Sequence, residues 1–276
     1  MNYTQLQCLS RRKFKRRFGV EKKTFKRMKL AIEEQMPQFK TRGCPRKLGI
    51  EEQILITLEY WREYRTYFHI ATNWGVSEST ICRIVHRVEN MLMASGLLRL
   101  PGKKYLIKSF EKIPVIVMDV TETTIERPKR QQKRFYSGKK KRHTLKSQLV
   151  IEQKTGLIIC TFFGRGQQHD FSLFKNSKVR FHPSTDSLQD SGYQGISQYH
   201  QNSYTPKKKP QKRELSSLEK DYNRELAKQR IGIEHVNRRL KIFQILAQRY
   251  RNRRRRYGLR CNLLAAIYNQ ELPLSA

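Results

Sequence analysis

Apolar positions follow a helical spacing as far as Met93 and a strand-like one from Ile113. Between Arg11 and Gln35, Phe14, Phe18, Phe25, Met28 and Ile32 recur at intervals of three, four and seven, which predicts an amphipathic helix ended by Pro37. A loop with Arg42, Gly43, Pro45 and Arg46 follows. Ile54, Leu55, Leu58 and Trp61 then mark the inward face of a helix over Ile50 to Tyr64. The aromatic residues in both segments read as core, not as platforms for stacked bases.

The stretch RTYFHIATNWGVSESTICRIVHRVENML reads as a helix-turn-helix: a short helix over Tyr67 to Trp74, a turn at Gly75, and a helix capped by Ser77 that runs to about Met93. Val76 and Ile81 can form a hydrophobic staple, and Ile81, Ile84, Val85 and Val88 make a buried stripe. Glu78, Ser79, Arg83, His86 and Arg87 then face outward. In such a module the second helix enters the major groove, so Ser79, Arg83, His86 and Arg87 are the expected DNA-recognition residues. The same pattern arises by chance in helical bundles, and charge has to decide. Leu97 to Ser109, with Pro101 and Gly102, reads as a linker.

Beyond the linker, IPVIVMDVTET opens with an unbroken apolar run too short for a helix, so Val115 to Met118 reads as a buried strand with Asp119 at its end. Open α/β sheets bind ligands at the carboxyl ends of such strands, although an aspartate after a strand is also ordinary turn chemistry. A basic loop, Arg127 to Arg142, ends in FYSGKKKRH; its Lys139, Lys140 and Lys141 can clamp phosphates and its Tyr136 can stack on a base. Strands are predicted over Thr144 to Glu152 and Leu157 to Arg165, with a turn at Lys154-Thr155-Gly156, then a short helix over Asp170 to Asn176. STDSLQDSGYQG reads as a short strand entering a glycine turn, which puts Asp190 at a second strand end and Asp186 at the strand's beginning. Ser216 to Arg251 is the longest helical pattern, with Ile233, Val236, Leu240 and Phe243 as its buried stripe. Arg230, Glu234 and Lys241 fall within about 40° of one another on an adjoining strip.

Composition narrows the partners. The 276 residues carry 58 Lys+Arg against 23 Asp+Glu, a formal charge of +35, which favours a polyanion and makes nucleic acid the default candidate. Runs such as RRKFKRR and RYRNRRRR almost lack the interspersed acids of a merely solvated surface. Five dispersed cysteines with no CxxC argue for reduced thiols and against a zinc site or a disulfide framework. No apolar run approaches a membrane span, and no signal peptide is evident at the N-terminus.

Two strand-end aspartates and a helical glutamate are all oxygen donors, the preference of Mg²⁺ or Mn²⁺. Two such ions about 3.5 to 4 Å apart can activate water and stabilise the leaving oxygen in an in-line attack on a phosphodiester. Without a cation, three close carboxylates repel and raise one another's pKa.

VIVMDVTET, YSGKKKRHTLKSQ, QDSGYQG and RIGIEHVNRRLK together resemble the DDE transposases of bacterial insertion sequences, of the IS-five type related to Harbinger-like elements. Lys47 to Met93 is similar to the helix-turn-helix that precedes their catalytic domain, so the resemblance covers nearly the whole chain. It implies an α/β architecture: an RNase H-like mixed-sheet domain over residues 110–276 after an all-α region over residues 1–100. It implies catalysis and metal binding by Asp119, Asp190 and Glu234 with Mg²⁺ or Mn²⁺, two ions being expected, and phosphate neutralisation by Arg230 and Lys241. Those two and Glu234 keep the spacing of the related tyrosine, arginine, glutamate and lysine motif, whose tyrosine falls at Ala227. His169-Asp170 resembles the family's HD pair and is expected to support the site without binding metal.

The implied partners are double-stranded DNA, both terminal inverted repeats and target, and further copies of the chain in a dimer or higher assembly on DNA. No membrane and no nucleotide cofactor are expected, and the implied location is the bacterial cytoplasm at the nucleoid. A host-retained metal-dependent endonuclease and a non-catalytic DNA-binding protein are the alternatives.

Overall fold

The computed structural model describes Leu6 and residues 8–36, 47–107, 113–211 and 213–272. The expected helix stop at Pro37 and the loop with Arg42, Gly43, Pro45 and Arg46 lie outside them. The chain forms two compact units, each discontinuous in sequence: residues 1–99, 240–248 and 259–276 make one, and residues 100–239 and 249–258 the other.

The first unit is helical. Its first basic stretch is two helices, α1 (Arg11–Phe18) and α2 (Lys22–Gln35), where periodicity predicts one. Gly19 makes the break: it caps α1 in the left-handed region at φ 77°, and a β-carbon there would lie 2.7 Å from the Phe243 ring. Phe14, Phe18, Phe25, Met28 and Ile32 are all buried, as core aromatics should be. Next come α3 (Ile50–Glu63), α4 (Tyr67–Trp74), a left-handed Gly75, and α5 (Glu78–Ala94). The Ser77 hydroxyl accepts from the Thr80 N–H, and the expected stripe of Ile81, Ile84, Val85 and Val88 is buried. Two short C-terminal pieces complete the unit: α9 (Gln244–Ala247) and most of α10 (Tyr257–Glu271).

Two buried glutamates tie this unit together. The Trp74 indole N–H donates to Glu59 at 3.0 Å, and the Trp61 indole N–H donates to Glu89 at 3.1 Å. Glu89 also accepts from Arg260 Nε of α10 at 2.6 Å, and both side chains are fully buried. The Arg260 guanidinium lies 5.3 Å from the centroid of the Tyr60 ring. A pair so removed from water is tolerable only because its hydrogen bonds replace hydration.

The second unit is built on a six-stranded mixed sheet. β1 (Val115–Thr124) runs antiparallel to β3 (Arg142–Glu152), which pairs antiparallel with β4 (Ile158–Arg165) and, at its start, with β2 (Tyr136–Ser137). On its other edge β1 is parallel to β5 (Asp186–Leu188), and β5 is parallel to β6 (Ser203–Tyr204). Two short helices, α6 (Gln132–Phe135) and α7 (Asp170–Ser177), lie between the strands. Ile116, Met118, Val150, Ile159, Phe174 and Tyr193 belong to one buried cluster. The sheet and its helices agree with the expected mixed α/β architecture.

Two boundaries differ from the sequence reading. β1 does not stop at Asp119; it continues to Thr124, since its β-branched threonines extend the ladder on β3. The long helix, α8 (Ser217–Leu240), ends eleven residues before Arg251. Just past it the Ile242 carbonyl accepts from the Arg62 guanidinium of α3. Ile233, Val236, Leu240 and Phe243 are buried as expected. Among the described residues no helix is long and apolar enough to cross a membrane.

Candidate active site

The parallel register of β1 and β5 sets the site. Val117 pairs with Leu188, the last residue of β5, so Asp119 two residues on along β1 and Asp190 two residues past the end of β5 follow from the same end of the parallel pair. Relative to β5, then, Asp119 does stand at the carboxyl end of a parallel pair, although β1 itself continues. Asp190 does not itself end the short strand, which stops at Leu188; it caps the 3₁₀ turn Ser191–Tyr193 that follows, with Oδ1 accepting the Gly192 N–H at 2.8 Å.

Asp170, the first residue of α7, converges on the same turn. A β-carbon at Gly192 would lie 2.8 Å from Asp170 Oδ2 and 3.0 Å from Asp190 Oδ1, so only glycine lets the two carboxylates approach from either side. Lys146 Nζ donates to Asp170 Oδ1 at 2.8 Å and lies 3.7 Å from Glu122 Oε1. Asp170 is thus supplied with a resident cation.

Asp119 is half-buried, and its carboxyl pKa is raised. Burial is the main cause, followed by the negative charge of Asp190; Arg230 and the Val120 N–H oppose the shift, and Asp170 adds to it. Tyr193 lies beneath the turn, fully buried, its phenol donating to Gln148 Oε1 at 3.5 Å. Burial and the charges of Asp170, Asp119 and Asp190 push its pKa well above the ordinary value, against Arg230.

Helix α8 supplies the other side. Asn237 Nδ2 donates to Asp119 Oδ2 at 2.9 Å, and Arg230 acts on Asp119 electrostatically. At about 100° per residue, Arg230, Glu234 and Asn237 lie within about 60° of one another, so Glu234 stands on the strip between two residues that address Asp119. Its side chain is exposed. The structure therefore brings Asp119, Asp190 and Asp170 together with Arg230 and Asn237, and places Glu234 on the facing strip without a contact to them. Lys241 lies one residue past α8 and belongs to the helical unit.

Among the described residues no three acidic, histidine or cysteine side chains are grouped closely enough to hold an ion. The donors nevertheless fit a hard divalent cation, which keeps several waters and needs only one or two carboxylates plus phosphate. The charge of Asp190 raises the pKa of Asp119, a repulsion that a cation would relieve. The Asn237 amide that holds one of them leaves its buried Oδ1 with no hydrogen-bond partner. Sequence reasoning missed Asn237, yet its position three residues beyond Glu234 and seven beyond Arg230 was the available signal. Lys146 had none, because its place depends on a cross-strand register.

Substituting Gly192 by Ala is expected to lower the rate of any reaction that these carboxylates carry about a hundredfold, the scale of a misplacement near 1 Å. A single-turnover rate beside an unchanged circular dichroism spectrum is the check.

Of the other expected contacts, Lys139, Lys140 and Lys141 are exposed on the tight turn between β2 and β3. On α5, Ser79 and Arg83 are exposed, and Arg83 donates to the Ser79 hydroxyl at 3.0 Å. His86 and Arg87 are half-buried, and Arg87 bonds Gln53 of α3, which leaves it less free to reach outward. The groove beside α5, of about 820 Å³, is lined by Lys47, Phe68, Thr72, Glu78, Arg83 and Arg87 among others.

Residues 118–269 match the family described as DDE superfamily endonuclease, and residues 46–97 match the helix-turn-helix of DDE superfamily endonuclease. The chain is 52% identical over all 276 residues, and over the full length of the relative, to a protein of Microchaete diplosiphon described as the probable transposase for insertion sequence element IS702. It is 25% identical over 237 residues, 83% of each chain, to a protein of Streptomyces albus G assigned as a transposase for insertion sequence element IS112. No solved structure matches.

Proposed function

The chain belongs to the DDE superfamily of endonucleases, and on that premise we propose that it is the transposase of an insertion sequence. It binds the element's terminal inverted repeats, cuts phosphodiesters beside them and transfers the strands to target DNA. The parallel pairing of β1 with β5, from whose end Asp119 and Asp190 follow close enough for the charge of one to act on the other, beside the α8 strip bearing Arg230, Glu234 and Asn237, is the observation that carries this reading.

Asp119, Asp190 and Glu234 are assigned as the residues that would hold Mg²⁺ or Mn²⁺, in a two-ion arrangement. Bound there, the ions would activate the attacking oxygen and stabilise the departing one. The chain's own groups orient this chemistry. Asn237 fixes one oxygen of Asp119, the Gly192 N–H fixes one of Asp190, and the Arg230 guanidinium is available to neutralise the reacting phosphate. Lys241 and the exposed Lys139, Lys140 and Lys141 are assigned to phosphate binding.

Helix α5 is assigned to reading the repeats through Ser79, Arg83, His86 and Arg87. Catalysis is assigned to residues 110–276 and DNA reading to residues 1–100, in line with the two family matches, although most of α10 packs within the helical unit. Pairing two ends calls for a dimer or higher assembly on DNA, acting at the nucleoid in the bacterial cytoplasm.

The test incubates purified protein and Mg²⁺ with a duplex carrying the element's end and a target plasmid. Cutting beside the repeat followed by covalent joining supports transposition. Cutting without joining points to a host-retained endonuclease, and binding without cutting to a DNA-binding protein. Arg83→Ala is expected to reduce discrimination for the repeat by about 1–3 kcal/mol, read from competition binding against unrelated duplex.

A further inference from the structure

A second basic feature of the sheet unit lies away from the carboxylates. Immediately after β1 the chain runs Ile125-Glu126-Arg127-Pro128-Lys129-Arg130, and Ile125 forms a parallel bridge with Tyr250. The Tyr250 N–H donates to the Thr124 carbonyl at 2.8 Å and its hydroxyl to the Arg255 carbonyl at 2.6 Å; the Tyr257 hydroxyl donates to Thr123 at 2.9 Å. These contacts fasten a remote arginine-rich loop to the end of β1. The result is a cleft of about 410 Å³ whose walls include Arg127, Lys129, Arg130, Arg253 and Arg254 against one acid, Glu126.

Bringing like charges together from two distant segments is unfavourable without an anion between them. Arg253 and Arg254 also hold left-handed backbone, φ 45° and 69°, which non-glycine residues rarely adopt and which persists only where surroundings enforce it. The Arg254 guanidinium is pinned 4.3 Å from the centroid of the Phe135 ring. Cations converging from both walls on one cleft suit the spaced phosphates of a nucleic-acid backbone.

We infer that this cleft holds the phosphodiester backbone of the DNA whose cleavage is assigned to Asp119, about six nucleotides from the cut. Six residues of extended chain separate Asp119 from Ile125, about 20 Å at 3.3 Å per residue. Successive nucleotides of one strand rise about 3.4 Å. The inference rests on the proposed function for the position of the cut, but its binding test does not.

The exposed residues Lys129, Arg130 and Arg253 are changed together to Gln, leaving Arg127 and Arg254 on their Gln132 and Phe135 partners. Binding to 40-base-pair duplexes is measured against salt in EDTA, where no cleavage occurs, with melting temperature as the control for folding. The slope of log affinity on log salt is expected to become shallower by about 2 to 3, about 0.9 for each lost phosphate contact. The change should be equal for repeat and unrelated duplexes, leaving their affinity ratio within twofold. Each single substitution should remove about one third of it, which preserves the test if the triple variant melts early.

Repeat duplexes ending three base pairs from the cut, on the element side or on the flanking side, then locate the contact. The truncation that erases the difference between wild type and variant identifies the side. An unchanged slope overturns the inference, as does a loss confined to the repeat duplex. So does a variant effect that survives both truncations. Failure of the wild-type protein to cut, with this salt behaviour intact, would instead count against the proposed function alone.

Discussion

Replacing Asp119 by Asn is expected to lower Mg²⁺-dependent cutting and joining at least about a thousandfold, the scale of losing one preorganised electrostatic group in a catalytic site. Repeat binding should stay within twofold, because α5 belongs to a separate compact unit. The substitution is close to isosteric, and the amide oxygen can still accept from Asn237. Stability should move the other way. The fold raises the pKa of Asp119, chiefly by burial and then by Asp190, so the ionised carboxylate destabilises the metal-free protein above that pKa. That penalty disappears as pH falls through the folded pKa toward the ordinary carboxylate range. In EDTA at neutral pH the Asn variant should therefore melt above wild type, with a gap that closes on acidification, and added Mg²⁺ should raise the melting temperature of wild type alone. A cutting rate within tenfold of wild type would remove Asp119 from the mechanism. Glu234→Gln, measured in the same assay, tests the third assigned acid independently of the aspartate pair.

The largest effect on folding is expected at Arg260. Its change to Met strands the Glu89 carboxylate in a fully buried position, and breaking a buried pair from one side is destabilising by about 3–5 kcal/mol. At roughly 2–4 °C per kcal/mol the helical unit should melt about 6–20 °C below wild type. Both tryptophans lie in that unit and donate to buried glutamates, so their fluorescence reports its unfolding directly. The double change Glu89→Gln with Arg260→Met should recover most of the loss, since the amide can still accept from Trp61 while no charge remains buried. A double variant no better than the single one would show that packing, not charge, is the dominant contribution of Arg260.

How far the fold was legible followed how local its determinants were. The helix-turn-helix could be read nearly to the residue, because Ser77, Gly75 and the Ile81 stripe carry its capping, turn and core within one short stretch. β1 was located but cut short at Asp119: an apolar-run criterion cannot see strand residues such as Thr121 and Thr123, which are held by pairing with β3. The break at Gly19 and the end of α8 at Leu240 were invisible for a related reason. In both places the apolar spacing continues across the break while the chain turns. The short elements α6 and β2 lie in a lysine and arginine run that has no periodicity to read. Within the site, the positions of Asp119 and Asp190 at the end of a parallel pair could be anticipated from strand-then-glycine patterns. The closeness of Asp170 could not, because Gly192 and the α7 N-terminus meet only in three dimensions.

The salt link between Glu89 and Arg260 spans 171 residues of chain. Glu89 consequently emerges from the ribosome long before the cation that neutralises it; at roughly 5–20 residues per second the interval is about 10–30 s. A chain that stops between the two is therefore expected to bury the Glu89 carboxylate without its Arg260 partner, so the helical unit should reach full stability only once α10 has been made.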